Sequence, residues 1–379
     1  MKLQRNGRSK ALAIGAMALV SSLSLAACGS DENTTTTGTA SGSGSAAPAA
    51  KIECGPKPAA LLAAGSTAQG NAIDVWKTNF AAACKESSVN YGGGGSGAGV
   101  QQFTQGKVQF AGSDSPLKPA EVDATKAICT GGQGINLPLV AGLISIVYNV
   151  DGVDNLVLDG PTLAKIFDSQ ITKWNDSAIA ALNPGAKLPD ADIQAVHRTD
   201  DSGTNENLTK YFAKVSNGAW SYPAAKAWAG KGGQGANGSA GVAAQVKQVK
   251  NSISYAELSY AQTNNLKSAA INTGASKPVE ATAANAATTF AKAKIAGTGS
   301  DLALTLDYGT KEEGSYPIVL VTYEIVCDKG NKAESLDALK AFLTYAASEA
   351  GQKAVGEAGY VPLPKELTDK ANAIIPTLA

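Results

Sequence analysis

At 379 residues, with 44% hydrophobic and 17% charged residues, the chain is long enough for two domains of ordinary size and a sizeable buried core. Basic and acidic residues balance at 32 each, which excludes the broad basic footprint that grips nucleic acid. A single histidine leaves little from which to assemble a zinc site or a multi-histidine metal centre.

Residues 1–10 are basic without acids, and Ala11 to Leu25 is an apolar run too short for a comfortable membrane span, so residues 1–27 are expected to be an export signal. It ends Leu25-Ala26-Ala27-Cys28, which resembles the lipobox of bacterial lipoproteins, where the cysteine is lipidated and becomes the new N-terminus. A plain signal peptide with a chance cysteine is the alternative. Removing the signal takes away Lys2, Arg5, Arg8 and Lys10 and no acid, so 28 basic residues then face 32 acidic ones, a net charge of −4. Any anion must therefore be held by local dipoles and not by a global field. Residues 28–50 are Thr, Ser, Gly and Ala with few apolar groups, a composition expected to form a flexible tether reaching roughly 25 Å. Cys54, Cys84, Cys129 and Cys327 remain in the exported part; an even number without CxxC spacing predicts two disulfides, with three pairings open.

Ala59 to Ala64 predicts a strand, Gly65-Ser66-Thr67 a turn, and Ile73, Trp76 and Phe80 recur at helical spacing. Thr67 and the Ala68 backbone N–H thus stand where a strand becomes a helix, although most such threonines are simple caps. Val89 to Tyr91 predicts a strand entering Gly92-Gly93-Gly94-Gly95-Ser96-Gly97-Ala98-Gly99, with Val100 and Phe103 beginning a helix. Glycine there permits close approach of backbone to a ligand, where composition alone says linker. Val108 to Ala111 delivers Gly112-Ser113-Asp114-Ser115-Pro116, in which Asp114 is a third strand-end residue or a turn cap. Ile135 to Val150 is apolar and rich in Gly and Pro, hence extended, buried on both faces and placed to cross between domains. Thr162 to Phe167 and Ser177 to Leu182 are helical patterns, and Trp174 between them is core.

Ile193, Ala195 and Val196 form a strand pattern leading into His197-Arg198-Thr199-Asp200-Asp201-Ser202-Gly203-Thr204, after which Leu208, Tyr211, Phe212 and Val215 mark an amphipathic helix. A helix start offers unpaired N–H groups and the positive end of the macrodipole, so Ser202, Gly203 and Thr204 suit an oxyanion, with Arg198 as a planar donor. An ordinary N-cap fits the segment equally well. Gly230 to Gly235 lacks the GxxxxGK[ST] pattern and is a loop before a helix carrying Val242, Val246 and Val249. Ser252 to Ala256 and Pro317 to Cys327 are strands, and Leu336 to Tyr345 a helix.

The ordered set Gly65-Ser66-Thr67, Gly95-Ser96-Gly97, Gly112-Ser113-Asp114 and Arg198-Thr199-Asp200-Asp201-Ser202-Gly203-Thr204 resembles the phosphate-binding lipoproteins of the bacterial high-affinity phosphate ABC importer. The likeness runs from about Ala59 onward and includes Val157-Leu158-Asp159-Gly160, Lys173-Trp174-Asn175-Asp176, Leu182-Asn183-Pro184-Gly185 and Ile253-Ser254-Tyr255. It implies an α/β, two-lobed type II periplasmic-binding-protein fold, each lobe a sheet flanked by helices, with the ligand in the interlobe cleft. Residues 51–150 and 318–379 would form lobe I, and 151–317 lobe II. The implied phosphate ligands are Thr67, the Ala68 backbone, Ser96 and Asp114 from one lobe, and Arg198, Ser202, Gly203 and Thr204 from the other, with Asp200 bracing Arg198. Ala68 replaces a common aromatic, and Asp201 a common glycine. No cofactor or metal is implied, and no enzymatic activity. The implied partners are inorganic phosphate, the membrane subunits of the importer, and the membrane through a lipid on Cys28, for a monomer on the outer face of the cytoplasmic membrane. The lobe layout favours pairing Cys54 with Cys84 and Cys129 with Cys327, both within lobe I. The rival is a phosphate-ester hydrolase with a related pocket, in which His197 would serve Ser202 as base.

Overall fold

The computed structural model describes residues 52–379. The expected signal peptide 1–27, the expected tether 28–50 and the expected lipidation site Cys28 lie outside the described residues. In chain order come β1 (Ala60–Gly65), α1 (Gly70–Ala83), β2 (Ser88–Gly94), α2 (Ser96–Thr104), β3 (Phe110–Ser113), α3 (Pro119–Thr125) and the long β4 (Gly134–Asn149). Next are β5 (Val157–Asp159), α4 (Gly160–Phe167), α5 (Ser177–Leu182), β6 (Gln194–Arg198), α6 (Gly203–Val215), β7 (Gln234–Ala236), α7 (Gly238–Gln248), β8 (Ser252–Glu257) and α8 (Leu258–Asn264). The chain then forms β9 (Lys267–Ser268), β10 (Ala270–Asn272), α9 (Ala283–Phe290), β11 (Lys294–Ile295) and β12 (Leu304–Thr305). It returns through β13 (Val319–Cys327) and closes with α10 (Leu336–Ala347), α11 (Glu349–Glu357) and α12 (Lys365–Ile374).

The principal sheet has nine strands in the order β2-β1-β3-β13-β4-β8-β6-β7, with β9 also paired to β4. Strand β4 is what joins its two halves. Residues Gly134 to Leu143 pair antiparallel with β13, and Ile144 to Asn149 pair antiparallel with β8. Every β4 residue but Asn149 is buried, as its unbroken apolar run predicts for a strand covered on both faces. Two cores flank this divide. In one, Phe342 of α10 packs its ring against Trp76 and Phe80 of α1 and Phe110 of β3, with centroids 6.5, 5.5 and 5.6 Å apart. In the other, Phe167 meets Phe212, Trp228 and Tyr255 at 6.0, 5.9 and 5.5 Å, and Trp174 is fully buried.

Both disulfides staple the half of the sheet containing β1, β3 and β13. Cys54 is bonded to Cys84 and Cys129 to Cys327, with Cα separations of 5.4 and 5.3 Å. The second ties the end of β13 to the segment entering β4, so the return strand is fixed beside the outgoing one.

The sequence reading is corrected in one place. Gly230 to Gly235 is not loop throughout: its end enters β7, an edge strand parallel to β6 with Val196 opposite Gln234 and His197 opposite Gly235. Its glycine content hides it from a propensity reading. A side chain at Gly235 would stand 2.3 Å from the Thr199 methyl group, so close approach requires glycine there.

Candidate anion-binding site

The four strand-end segments converge. Gly65 ends β1 with φ of +138° and has the Gly112 carbonyl 2.1 Å from where a Cβ would sit, a backbone approach that only glycine allows. Beyond it come Thr67 and Ala68, the latter fully buried with its N–H donated to Ser66 Oγ at 3.0 Å. Ser96 is the first residue of α2, and Asp114 follows β3 directly. Ser96 Oγ donates to Asp114 Oδ2 and accepts from the Asp114 N–H, both at 3.1 Å. Thr322 of β13 donates to Asp114 Oδ1 at 2.7 Å.

The other wall belongs to β6 and α6. Arg198 ends β6 and is only 2% exposed; its Nε donates to Asp200 Oδ1 at 2.7 Å while Nη2 reaches Asp200 Oδ2, a two-point clamp that fixes the guanidinium plane. Ser202 caps α6, accepting from the Asn205 N–H at 3.2 Å, so the cap reading of this serine holds in the structure. A helix start nevertheless keeps unpaired N–H groups beside such a cap. The two walls touch at Gly203, where a Cβ would lie 2.5 Å from both Ser96 Oγ and Asp114 Cβ. Asn207 Nδ2 donates to the Asp114 carbonyl at 2.7 Å and the Gly97 N–H to the Asp201 carbonyl at 2.9 Å, so further bonds cross the cleft.

A family model described as a PBP superfamily domain matches residues 31–350. The phosphate-binding protein PstS 3 of Mycobacterium tuberculosis is 43% identical over 382 residues, covering 100% of both chains. The chain belongs to the PstS family. The PstS 2 protein of the same species is 41% identical over 329 residues, covering 86% of this chain and 88% of its own. Among solved structures, the phosphate-bound PfluDING protein aligns with a TM-score of 0.66 and 20% identity, over 83% of this chain and 93% of that one. A phosphate-binding protein from Stenotrophomonas maltophilia also aligns with a TM-score of 0.66, at 22% identity over the same shares. These likenesses carry the fold: two α/β lobes of the periplasmic-binding type.

In this PstS family member the cleft is acidic once its ions are paired. Arg198 is spent on Asp200, whose carboxyl is held below its ordinary value: burial opposes this, and the bonds and charge of Arg198 outweigh it. The Arg198 guanidinium is correspondingly pushed up, its burial cost being overcome by Asp200. Asp114 is pushed up to about 6 by burial, against the bonds from Ser66, Thr322 and Ser96. Its two oxygens already accept from Ser96 and Thr322, and the ionised group can only accept from any further partner.

The sequence reading did not name four residues. Ser239 of α7 is fully buried, accepts from Arg198 Nη1 at 3.0 Å and meets Thr67. Glu257 ends β8 and accepts from Thr204 Oγ1 at 2.7 Å, while Thr204 Oγ1 accepts from Arg198 Nη1 at 3.3 Å. Thr204 therefore bridges Arg198 to Glu257 through its side chain. Thr322 and Asn207 hold Asp114 by its carboxylate and its carbonyl respectively. Thr322 lies within a run read simply as a strand and Asn207 at the start of a helix, while Glu257 falls one residue past its strand and Ser239 just ahead of the valines that mark its helix.

His197 is not placed to activate a hydroxyl. Its ring stacks on Trp228 at 5.2 Å and 7° between planes, and Nδ1 lies 3.1 Å from the Arg198 carbonyl. Among the described residues no group of three or more metal-ligating side chains occurs, and no helix is long and apolar enough to cross a membrane.

Proposed function

We propose that this protein captures inorganic phosphate outside the cytoplasm and delivers it to an ABC importer, acting as a binder and not as an enzyme. The observation that carries the reading is an Arg198 guanidinium clamped by Asp200 on one wall and Asp114, held by Ser96 and Thr322, on the other, the two walls meeting at Gly203. Such a site needs a ligand that is anionic and still protonated. Phosphate near neutral pH is both; sulfate has no proton to give. Two desolvated acceptors would then face one another, an unpaired contact that costs on the order of 1–3 kcal/mol or more.

The ligand set we infer is Thr67, the Ala68 backbone, Ser96 and Asp114 from a lobe of residues 51–150 and 318–379, with Arg198, Ser202, Gly203 and Thr204 from a lobe of residues 151–317. Asp200 positions Arg198. Support comes from the Ser96–Asp114 and Arg198–Thr204 hydrogen bonds, from the close approach of Gly203 to Ser96 and Asp114, and from helix starts at Ser96 and Gly203, whose N–H groups suit anion oxygens. The extra carboxylate of Asp201, where a glycine is common, lines the closing edge: a Cβ at Gly97 would stand 2.4 Å from Asp201 Cβ. We further infer a monomer anchored by a lipid on Cys28 to the outer face of the cytoplasmic membrane. The anchor rests on the export signal and the Leu25-Ala26-Ala27-Cys28 motif.

Equilibrium titration with phosphate tests the set. Arg198→Ala should weaken phosphate by two orders of magnitude or more, since it removes the fixed donor and leaves Asp200 as an unpaired buried charge. Parent-like binding by that variant would refute the assignment.

A further inference from the structure

Ser239 stands where the two walls of the cleft meet, and its hydrogen bonds can be counted. Its Oγ accepts from Arg198 Nη1 at 3.0 Å and lies 3.0 Å from Thr67 Oγ1, and its N–H donates to that same Thr67 oxygen at 3.0 Å. It is fully buried, at the second position of α7, where the preceding Gly238 donates its N–H to Asp200 Oδ1 at 3.0 Å. In the sheet, β1, which leads to Thr67, is separated from β6, which leads to Arg198, by β3, β13, β4 and β8. The contact thus spans the cleft and cannot exist when the walls are apart.

A guanidinium only donates, so the Ser239 oxygen must accept from Arg198. Thr67 Oγ1 must accept from the Ser239 N–H. One proton remains to be placed between the two hydroxyls. When Ser239 donates it to Thr67, the Thr67 oxygen has accepted twice and its own proton is free for a third partner. Donation from Arg198 polarises the Ser239 hydroxyl and favours this direction. An anion beside Thr67 favours it again, because the alternative would present only a lone pair.

We propose that Ser239 is a positioning residue of the phosphate site: it latches the closed cleft by joining Arg198 to Thr67 and aims the Thr67 hydroxyl proton at the bound anion. The proposal rests on the phosphate reading given above. It assigns Ser239 no contact with phosphate. Its effect should fall on release, because the latch forms only after closure, and not on the encounter that precedes it.

The test is stopped-flow phosphate binding and release on the full-length exported protein. Ser239→Ala removes the hydroxyl and keeps the N–H; it should raise the dissociation rate constant about tenfold and leave the association rate constant within twofold. Thr67→Ala should lose at least as much, and Ser239→Ala added to Thr67→Ala should lose little more, since both act through one donor. Thr67→Ser, which keeps the hydroxyl, should lose less than Thr67→Ala. A Ser239→Ala protein that releases phosphate at the parent rate while Arg198→Ala has lost binding overturns the latch alone. Fully additive losses for Ser239→Ala and Thr67→Ala overturn it too, since Ser239 would then be only a structural part of α7. Parent-like binding by Arg198→Ala would instead overturn the phosphate reading beneath it.

Discussion

Glu324 gives the sharpest test of the buried electrostatics. It lies in β13 opposite Gly112, which precedes Asp114 by two residues, and is fully buried. Burial pushes its carboxyl up from 4.5 to about 8, Gln69 pulls it partly back, and the charge of Asp114 adds to the rise. Between those values the folded state holds a proton that the unfolded chain has released, so stability falls as pH rises through this window. Below about pH 4.5 both states are protonated and nothing is lost; above about 8 the full cost is present. At roughly 1.4 kcal/mol per pH unit the difference amounts to about 5 kcal/mol. Glu324→Gln removes the titration and keeps the volume. For a folded body of this size each kcal/mol moves Tm by roughly 1–2 °C, so the variant should melt about 5–10 °C above the parent at pH 8 and close to it at pH 5. Calorimetric melts of phosphate-free protein across pH 5 to 8 measure this. Parallel Tm curves for parent and variant would refute a buried neutral carboxyl at this position.

Asp114→Asn supplies a donor in nearly the same volume, so it should keep appreciable phosphate binding and narrow the phosphate-to-sulfate ratio; competition titrations in which the variant rejects sulfate as strongly as the parent would remove Asp114 as the selective group. Because Asp114 titrates near 6, the parent's rejection of sulfate should itself weaken as pH falls through that value, and the Asn variant should show no such change. The disulfide between Cys129 and Cys327 closes a separation of 198 residues and that between Cys54 and Cys84 one of 30, so replacing the first pair by serine should cost about 5 kcal/mol and the second about 4 in the chain-entropy account. Both lie away from Arg198, and phosphate affinity at 25 °C should be unchanged in either; denaturant titration and phosphate binding together check the pair.

Much of this architecture is visible before folding. The strands that end in Gly65, Ser113 and Arg198 are marked by apolar runs stopping at Gly, Ser or Thr, and the site residues fall at those stops because a strand end is where backbone N–H groups become free. The buried crossing strand β4 is equally plain, since sixteen residues with no polar alternation leave no solvent-facing side. What sequence does not carry is the meeting of Thr67 with Ser239, 172 residues apart, which depends on the closure of the cleft. Glu257 and Glu324 are hidden for a different reason. Each is one acid in an apolar strand, a position ordinarily facing solvent, and only the packing of the sheet shows that they are 1% and 0% exposed. The edge strand β7 is masked by the glycines that let it approach β6.

The central claim is that the cleft selects an anion that still carries a proton, and calorimetric titration of the unsubstituted protein at pH 7 with phosphate and, separately, with sulfate tests it most directly. The account predicts stoichiometric phosphate binding and sulfate at least 10³-fold weaker, since sites that leave buried polar groups unpaired commonly discriminate on the order of 10⁴-fold. Equal affinity for the two anions, or no binding of phosphate, would contradict it.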